Sequence, residues 1–241
     1  MKIKSYLSYN TPYSMRTRIS QIRSLFSTSK IEKGRHCYID KSAEIIGKDS
    51  VKFGDNVCIG MNCNININGS RDDGVKRLII GNNSYIGRET FISTGKLISI
   101  GEFFFGGPHC SIIGVNHVFS NPIFSYLLGE CTLDKEIIIE DNVWLGDNVS
   151  LIGNVKIGRG SIIGAKTLVT KDIPPFSIAI GNPCKIYKRF DFTKNEWVSP
   201  EQLSADNKIP SLEEYKELLH KNNPQIIDMP IVALTNRYGG F

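Results

Sequence analysis

The chain lacks any apolar run of the roughly 18 residues that a membrane-spanning helix needs. Its first residues, MKIKSYLSYNTPYSMR, also lack the apolar stretch of a signal peptide, because charged and polar residues interrupt them too often. The six cysteines (Cys37, Cys58, Cys63, Cys110, Cys131 and Cys184) form no CxxC pair and share no metal-type spacing with histidine. That argues against a zinc ribbon and, without an export signal, against a disulfide framework. Small buried residues in a reduced, cytoplasmic protein are the expectation. There are two Trp and four His, so candidates for proton transfer near neutral pH are few. The net charge of +5 suits an anionic ligand but is too small to argue for nucleic acid.

What the chain has instead is a repeat. From residue 139 it divides into IEDNVW, LGDNVS, LIGNVK, IGRGSI, IGAKTL and VTKDIP. The first positions are Ile139, Leu145, Leu151, Ile157, Ile163 and Val169, all aliphatic. The fifth positions, Val143, Val149, Val155, Ser161, Thr167 and Ile173, are small or β-branched. A helix needs apolar spacings of three and four, and an alternating strand needs two. A strict period of six fits a triangular parallel β-helix, in which each hexad supplies a short strand and a corner. Three hexads close one coil of 18 residues, and each coil buries its core only by stacking on the next. Residues 139–173 therefore predict two uninterrupted coils. FGDNVC at 53, IGMNCN at 59, IGNNSY at 80, IGRETF at 86 and IGEFFF at 100 extend the pattern upstream. A weaker unit then leads to Ile112. Breaks fall at 69–77 and at about 115–136.

Two flanking regions fall outside the period. Residues 12–30 predict a short basic helix with Ile19, Ile22 and Phe26 on one face. It would cap the first coil or, on a second reading, rest on an anionic membrane surface. Beyond residue 189 the period stops, and Ser211 followed by LEEYKELLHK predicts an N-capped helix. The expected domains are a basic helical segment over 1–35, a β-helix over 36–189, and a C-terminal extension with one helix over 190–241.

The stretch NVWLGDNVSLIGNVKIGRGSIIGAKTLVTKDIPPFSIAIGNPCKIYKR, residues 142–189, resembles the hexapeptide-repeat acyltransferases. NVW-L-G at 142–146, IGA at 163–165, VTKDIPP at 169–175 and GNPCK at 181–185 carry the likeness. It is similar to galactoside and maltose acetyltransferases, to xenobiotic acetyltransferases, and to O-acetyltransferases of bacterial surface polysaccharides. The resemblance implies a left-handed β-helix, a homotrimer with sites between subunits, and acetyl-CoA as co-substrate without a metal. It also implies that His117, in IIGVNHVFSNP at the start of an extended loop, is the catalytic base. A sugar hydroxyl is a poor nucleophile, and neutral imidazole is suited to take its proton near pH 7.

The same resemblance places acetyl-CoA contacts on Asp147, Ala165, Thr170, Lys171, Lys185 and Lys188 and sets Trp144 beside the thioester or the acceptor sugar, while the coil spacing adds Gly146 to the cofactor strip. Asp147 and Ala165 are 18 apart, so they occupy equivalent places on adjacent coils and define a strip of small side chains. Lys171, Lys185 and Lys188 would meet phosphates. Two of these tail lysines replace arginines common in the sugar acetyltransferases, which loses the planar bidentate grip. On the acceptor side the expected contacts are Trp144, Asn62, Asn64, Phe119 and Tyr126.

The leading expectation is an O-acetyltransferase acting on a sugar of a capsule, O-antigen or similar glycan. Transfer is expected to be direct, because no cysteine stands beside a histidine in sequence. N-acetylation of an amino sugar, or a xenobiotic acceptor, would need the same base. A non-catalytic β-helix subunit is the third reading. Zinc carbonic anhydrase shares the scaffold but needs three histidine ligands, and only His109 and His117 lie within the repeat. Residence is expected in the cytoplasm, with peripheral contact at the inner membrane as a variant.

Overall fold

A computed structural model describes residues 31–69, 73–123 and 125–227. The predicted basic helix over 12–30 lies outside the described residues.

The hexads fold as the period requires. Three parallel sheets form the faces of a triangular coil, here called A, B and C in the order the chain visits them. Coil 1 comprises Glu32–Lys33, Tyr38–Ile39 and Glu44–Ile46. Coil 2 comprises Val51–Phe53, Cys58–Ile59 and Asn64–Asn66; coil 3, Leu78–Ile80, Tyr85–Ile86 and Phe91–Ser93. Coil 4 comprises Leu97–Ile100, Phe105–Gly106 and Ser111–Ile113. The uninterrupted pair are coil 5 (Glu136–Ile139, Trp144–Leu145, Ser150–Ile152) and coil 6 (Val155–Ile157, Ile162–Ile163, Leu168–Val169). Ile139 pairs with Ile157, Leu145 with Ile163 and Leu151 with Val169, each 18 residues on. Across the long break the ladder resumes in register, Ile98 against Ile137 and Ile100 against Ile139. The inserted residues therefore leave the coil rather than distort it.

First-position side chains point inward and stack. Ile65, Ile92, Ile112, Leu151 and Val169 form one fully buried row on face C. Burying each such side chain stabilises the fold by roughly 1.5–3 kcal/mol. The row on face B is broken at Gly106, and the fifth-position residue before it is the exception that repairs it. There the usual small residue is Phe104, whose ring is buried and fills the space; a Cβ on Gly106 would lie 3.0 Å from its Cε1. This is the physical content of the weak hexad after residue 100.

Corners are turned at the fourth position, where the backbone takes positive φ: Asn56, Asn62, Asn83, Asn142 and Asn148 all lie between 53° and 58°. Asparagine tolerates this left-handed region better than most residues, which explains its abundance. The second-position glycines permit close approach of the next coil. A Cβ on Gly146 would meet the Ala165 backbone nitrogen at 2.7 Å.

After coil 6 a further parallel strand, Ser177–Ile180, joins face B. The chain then reverses at Gly181 (φ 97°) and the cis Asn182–Pro183 peptide. Strand Lys185–Asp191 returns antiparallel, followed by Glu196–Val198. Among the described residues the first strand starts at Glu32, before the expected limit of 36, and the last strands cross the expected limit at 189. The extension holds helix α1 (Leu212–Asn222), closed by the predicted Ser211 cap with Glu214 completing a capping box, and a second short helix α2 (Pro224–Ile227). Among the described residues of the extension there are thus two helices where one was expected.

Helix α1 lies along the edge between faces A and B. The Tyr215 hydroxyl meets Asn142 Nδ2 at 2.6 Å, and Arg159 donates to the Pro210 carbonyl. The buried Glu102 carboxylate holds Lys216 Nζ at 2.5 Å and His220 Nε2 at 2.8 Å. His220 thereby acquires a structural role. No helix among the described residues is long and apolar enough to cross a membrane.

Candidate functional site

The expected site residues fall into two groups. Gly146, Asp147 and Ala165 sit on the edge between faces B and C, because each follows a face-B strand of coil 5 or 6. The amide of Lys166 donates to the Asp147 carbonyl at 2.8 Å, which fixes the two corners one above the other. Asp147 and Ala165 are exposed, whereas Gly146 is buried under the next coil. Lys185 reaches the same edge through its pairing with Ile180, and Lys188 lies on face B opposite Ile178. Neither lysine is in an ion pair among the described residues; Lys188 Nζ stands 5.7 Å from the Tyr187 ring centroid. Trp144 projects outward from face B, 46% exposed.

Thr170 and Lys171 are not with them. They follow the face-C strand of coil 6, on the edge between C and A, and both are exposed. The long insertion springs from that C–A edge, after Ile113. It forms a two-stranded hairpin in which Asn116 pairs with Thr132 and His117 with Cys131. The residues that the resemblance groups as one site therefore stand in two sets, one on each border of face C. No hydrogen bond, ion pair or ring contact among the described residues joins the hairpin to Trp144 or Asp147.

His117 is exposed, and its backbone N–H donates to Asn116 Oδ1 at 2.9 Å. Its Nδ1 lies 3.9 Å from Cys131 Sγ. The sequence argument that no cysteine stands beside a histidine fails in space, because strand pairing brings together residues 14 apart. Cys131 is exposed, against the expectation of a small core residue. Cys58, Cys63 and Cys110 meet that expectation: burial pushes their thiols up to about 12, 11 and 11. Beyond His117 the hairpin exposes Val118, Phe119, Ile123, Tyr126 and Leu127. Phe124 lies outside the described residues.

Of the acceptor residues, Asn62 is exposed on the B–C edge of coil 2. It lies three coils, or about 14 Å of β-ladder, from Asp147. Asn64 is half-buried and donates to Glu44 Oε2 at 3.3 Å. The fold does not bring either to Trp144.

The sequence reading missed the company Trp144 keeps. In register along face B stand Tyr85, Phe105 and Trp144. Ring centroids are 5.9 Å apart for Tyr85–Phe105 and 6.3 Å for Phe105–Trp144. An aromatic at the sixth position of successive face-B hexads was the available signal. A second missed pair is His109 Nδ1 with Glu89 Oε2, 3.2 Å apart on the B–C edge. Among the described residues no three side chains gather to hold a metal ion.

Residues 136–171 match the model of the bacterial transferase hexapeptide, described as six repeats. The chain is 32% identical over 133 residues to the galactoside O-acetyltransferase of Lactococcus lactis, covering 55% of this chain and 63% of that protein. Proteins of Staphylococcus aureus are 53% identical over 55 residues, 23% of this chain and 28% of theirs. The chain thus spans less than two thirds of the length of the curated relatives it matches. In fold it is similar to a mutant of AntD, an N-acyltransferase from Bacillus cereus solved with dTDP-4-amino-4,6-dideoxyglucose and coenzyme A. The TM-score is 0.59 at 19% identity, covering 83% of this chain and 96% of that one. Repeat, coil register and family match agree over residues 136–171, which carry the transferase hexapeptide repeat, and beyond them the chain is similar to acetyltransferases built on that repeat.

Proposed function

We propose that the protein transfers an acetyl group from acetyl-CoA to a hydroxyl of a sugar in a bacterial surface polysaccharide. We read the coil as left-handed, after the family. The observation that carries the reading is the pair Asp147 and Ala165, exposed at equivalent corners of consecutive coils over the buried Gly146 and flanked by lysines outside any ion pair among the described residues. Ala165 presents only a methyl group at its exposed corner, and a surface with so small a side chain fits the slender pantetheine arm. Lys185 and Lys188 supply charge for phosphates at one end. Trp144 and Phe105 offer an apolar platform for the thioester or the sugar ring.

The half-site arrangement supports sites shared between subunits. His117, Thr170 and Lys171 stand on the C–A edge, and Trp144, Asp147 and Ala165 on the opposite side of face C. A neighbouring copy that sets its hairpin against the B–C edge completes the set, as expected of a homotrimer. The exposed apolar residues of the hairpin and the aromatic row on face B suit such a contact.

In the reaction, imidazole of His117 takes the hydroxyl proton as the oxygen attacks the thioester carbonyl. The carbon–sulfur bond then breaks and the proton passes to the departing thiolate. Transfer is direct in this reading; Cys131, beside His117, makes acylation of the protein the alternative, and intact-mass measurement after acetyl-CoA treatment tests it. His117→Ala is expected to lower turnover at least about a hundredfold. Activity within tenfold of wild type would remove His117 from the mechanism. An amino-sugar acceptor is the second reading, favoured by the fold shared with AntD.

A further inference from the structure

The B–C edge carries a pair of residues that neither packing nor stability accounts for. At the fourth position this edge has Asn62 on coil 2 and Asn148 on coil 5, both with positive φ as the corner demands. On coils 3 and 4 the same positions are Glu89 (φ 57°) and His109 (φ 60°). Glutamate is disfavoured in this region, and asparagine would turn the corner at lower cost. Among the other large residues with positive φ, Phe103 and Phe176 are buried under the C-terminal extension, where they meet His220 and Tyr215, and His36 and Lys166 are exposed corners without a facing partner of this kind. Glu89 and His109 are exposed, at 46% and 40% of their side chains, and they face each other. An exposed pair of this kind adds little to stability. Histidine is tolerated at positive φ, whereas Glu89 is strained there at an exposed corner where asparagine serves on coils 2 and 5, and such a residue points to function.

The geometry of the pair is specific. Glu89 Oε2 stands 3.2 Å from His109 Nδ1, which sets the carboxylate beside the ring, and Nε2 has no hydrogen bond among the described residues. The pair also borders the donor strip. The amide of Asn148 donates to the Pro108 carbonyl, next to His109, at 3.0 Å. Asp147 Oδ1 would lie 2.8 Å from a Cβ on Gly107, so its carboxylate stands against coil 4. Lys166, also with positive φ on this edge, lies on coil 6 at the far end, beside Ala165. The order along the edge is therefore cation, small-residue strip, carboxylate, imidazole, carboxylate.

We propose that Glu89 and His109 bind the acceptor: Nε2 of the imidazole that Glu89 faces hydrogen-bonds a hydroxyl or amine of the sugar that continues the donor strip. This rests on the acyltransferase reading above and adds its acceptor subsite. His117 remains the proton acceptor in the transfer, and the Glu89–His109 pair positions.

The test uses the full chain, acetyl-CoA, and a panel of methyl gluco-, galacto- and mannopyranosides with their 4-amino-4-deoxy counterparts. His109→Asn and Glu89→Asn keep a residue that suits the corner, so their melting temperatures should match or exceed wild type. Each is expected to raise KM for the accepted sugar about tenfold, the loss of one good hydrogen bond. KM for acetyl-CoA should not move, and the double variant should be no worse than His109→Asn, because the pair acts as one unit. Glu89→Gln is the conservative control and should recover part of the loss. An acceptor KM unchanged in His109→Asn overturns the proposal. So does a wild-type protein that binds acetyl-CoA but engages no member of the panel. A wild-type protein that does not bind acetyl-CoA overturns the acyltransferase reading itself, and the two failures are thereby distinguished.

Discussion

Phe104 and Gly106 form a compensated pair, and a double-mutant cycle measures the compensation. Elsewhere on face B the inward residue is Ile59, Ile86, Leu145 or Ile163; at coil 4 it is Gly106. Phe104→Val alone removes a buried ring and leaves a void that glycine cannot fill, costing about 2–4 kcal/mol. Gly106→Ile alone drives a side chain into a ring 3.0–3.3 Å from its Cβ, costing about 1–3 kcal/mol. The double variant restores the regular pattern, with a small fifth residue like Val57 and Val143 and an aliphatic first residue. It should be more stable than the sum of the singles by roughly 2 kcal/mol. Equilibrium urea unfolding of all four proteins at one protein concentration reads the coupling. Additivity within about 0.5 kcal/mol would refute the idea that Phe104 stands in for the missing aliphatic.

Two further predictions concern the C-terminal extension. Burial works to raise the Asp191 carboxyl, but hydrogen bonds from Ser204, Lys194 and Thr193 outweigh it and hold the group well below the ordinary carboxylate range. Its contribution to stability is therefore present above the unfolded-state pKa and disappears as pH falls through the folded one. Asp191→Asn should lower the melting temperature at pH 7 by an amount that shrinks steadily on acidification; a pH-independent difference would contradict this. Glu102→Gln removes the charge that Lys216 and His220 share and should speed amide hydrogen exchange in α1 while leaving coils 5 and 6 protected. Equal exchange in both proteins would show that the clasp is not what docks the helix.

Much of the fold was legible because its period is unusual. Six-residue spacing fits neither helix nor simple strand, and Ile139, Ile157 and their neighbours carry the period without a gap. The 18-residue equivalence of Asp147 and Ala165 followed from it and holds in the coil register. The positions of Thr170 and Lys171 were not legible in the same way. Counting in eighteens gives height along the coil, whereas the face depends on where within the coil a residue falls. Both lie beyond the next face-C strand from Ala165. The hairpin was opaque for a different reason: His117 and Cys131 meet through antiparallel pairing inside an insertion that obeys no repeat. Glu89 and His109 could have been found as departures from asparagine at the corner position, had that position been identified as the one with positive φ.

The central claim is that the B–C edge of coils 5 and 6 holds acyl-CoA, and Ala165→Leu tests it most directly. Ala165 is exposed, so a leucine there is accommodated by the fold but fills the strip beside Gly146 and Asp147. Calorimetric titration with acetyl-CoA should show binding to the wild-type protein and at least about tenfold weaker binding to the variant, at an unchanged melting temperature. Equal affinity for both proteins would place acyl-CoA elsewhere and contradict the account.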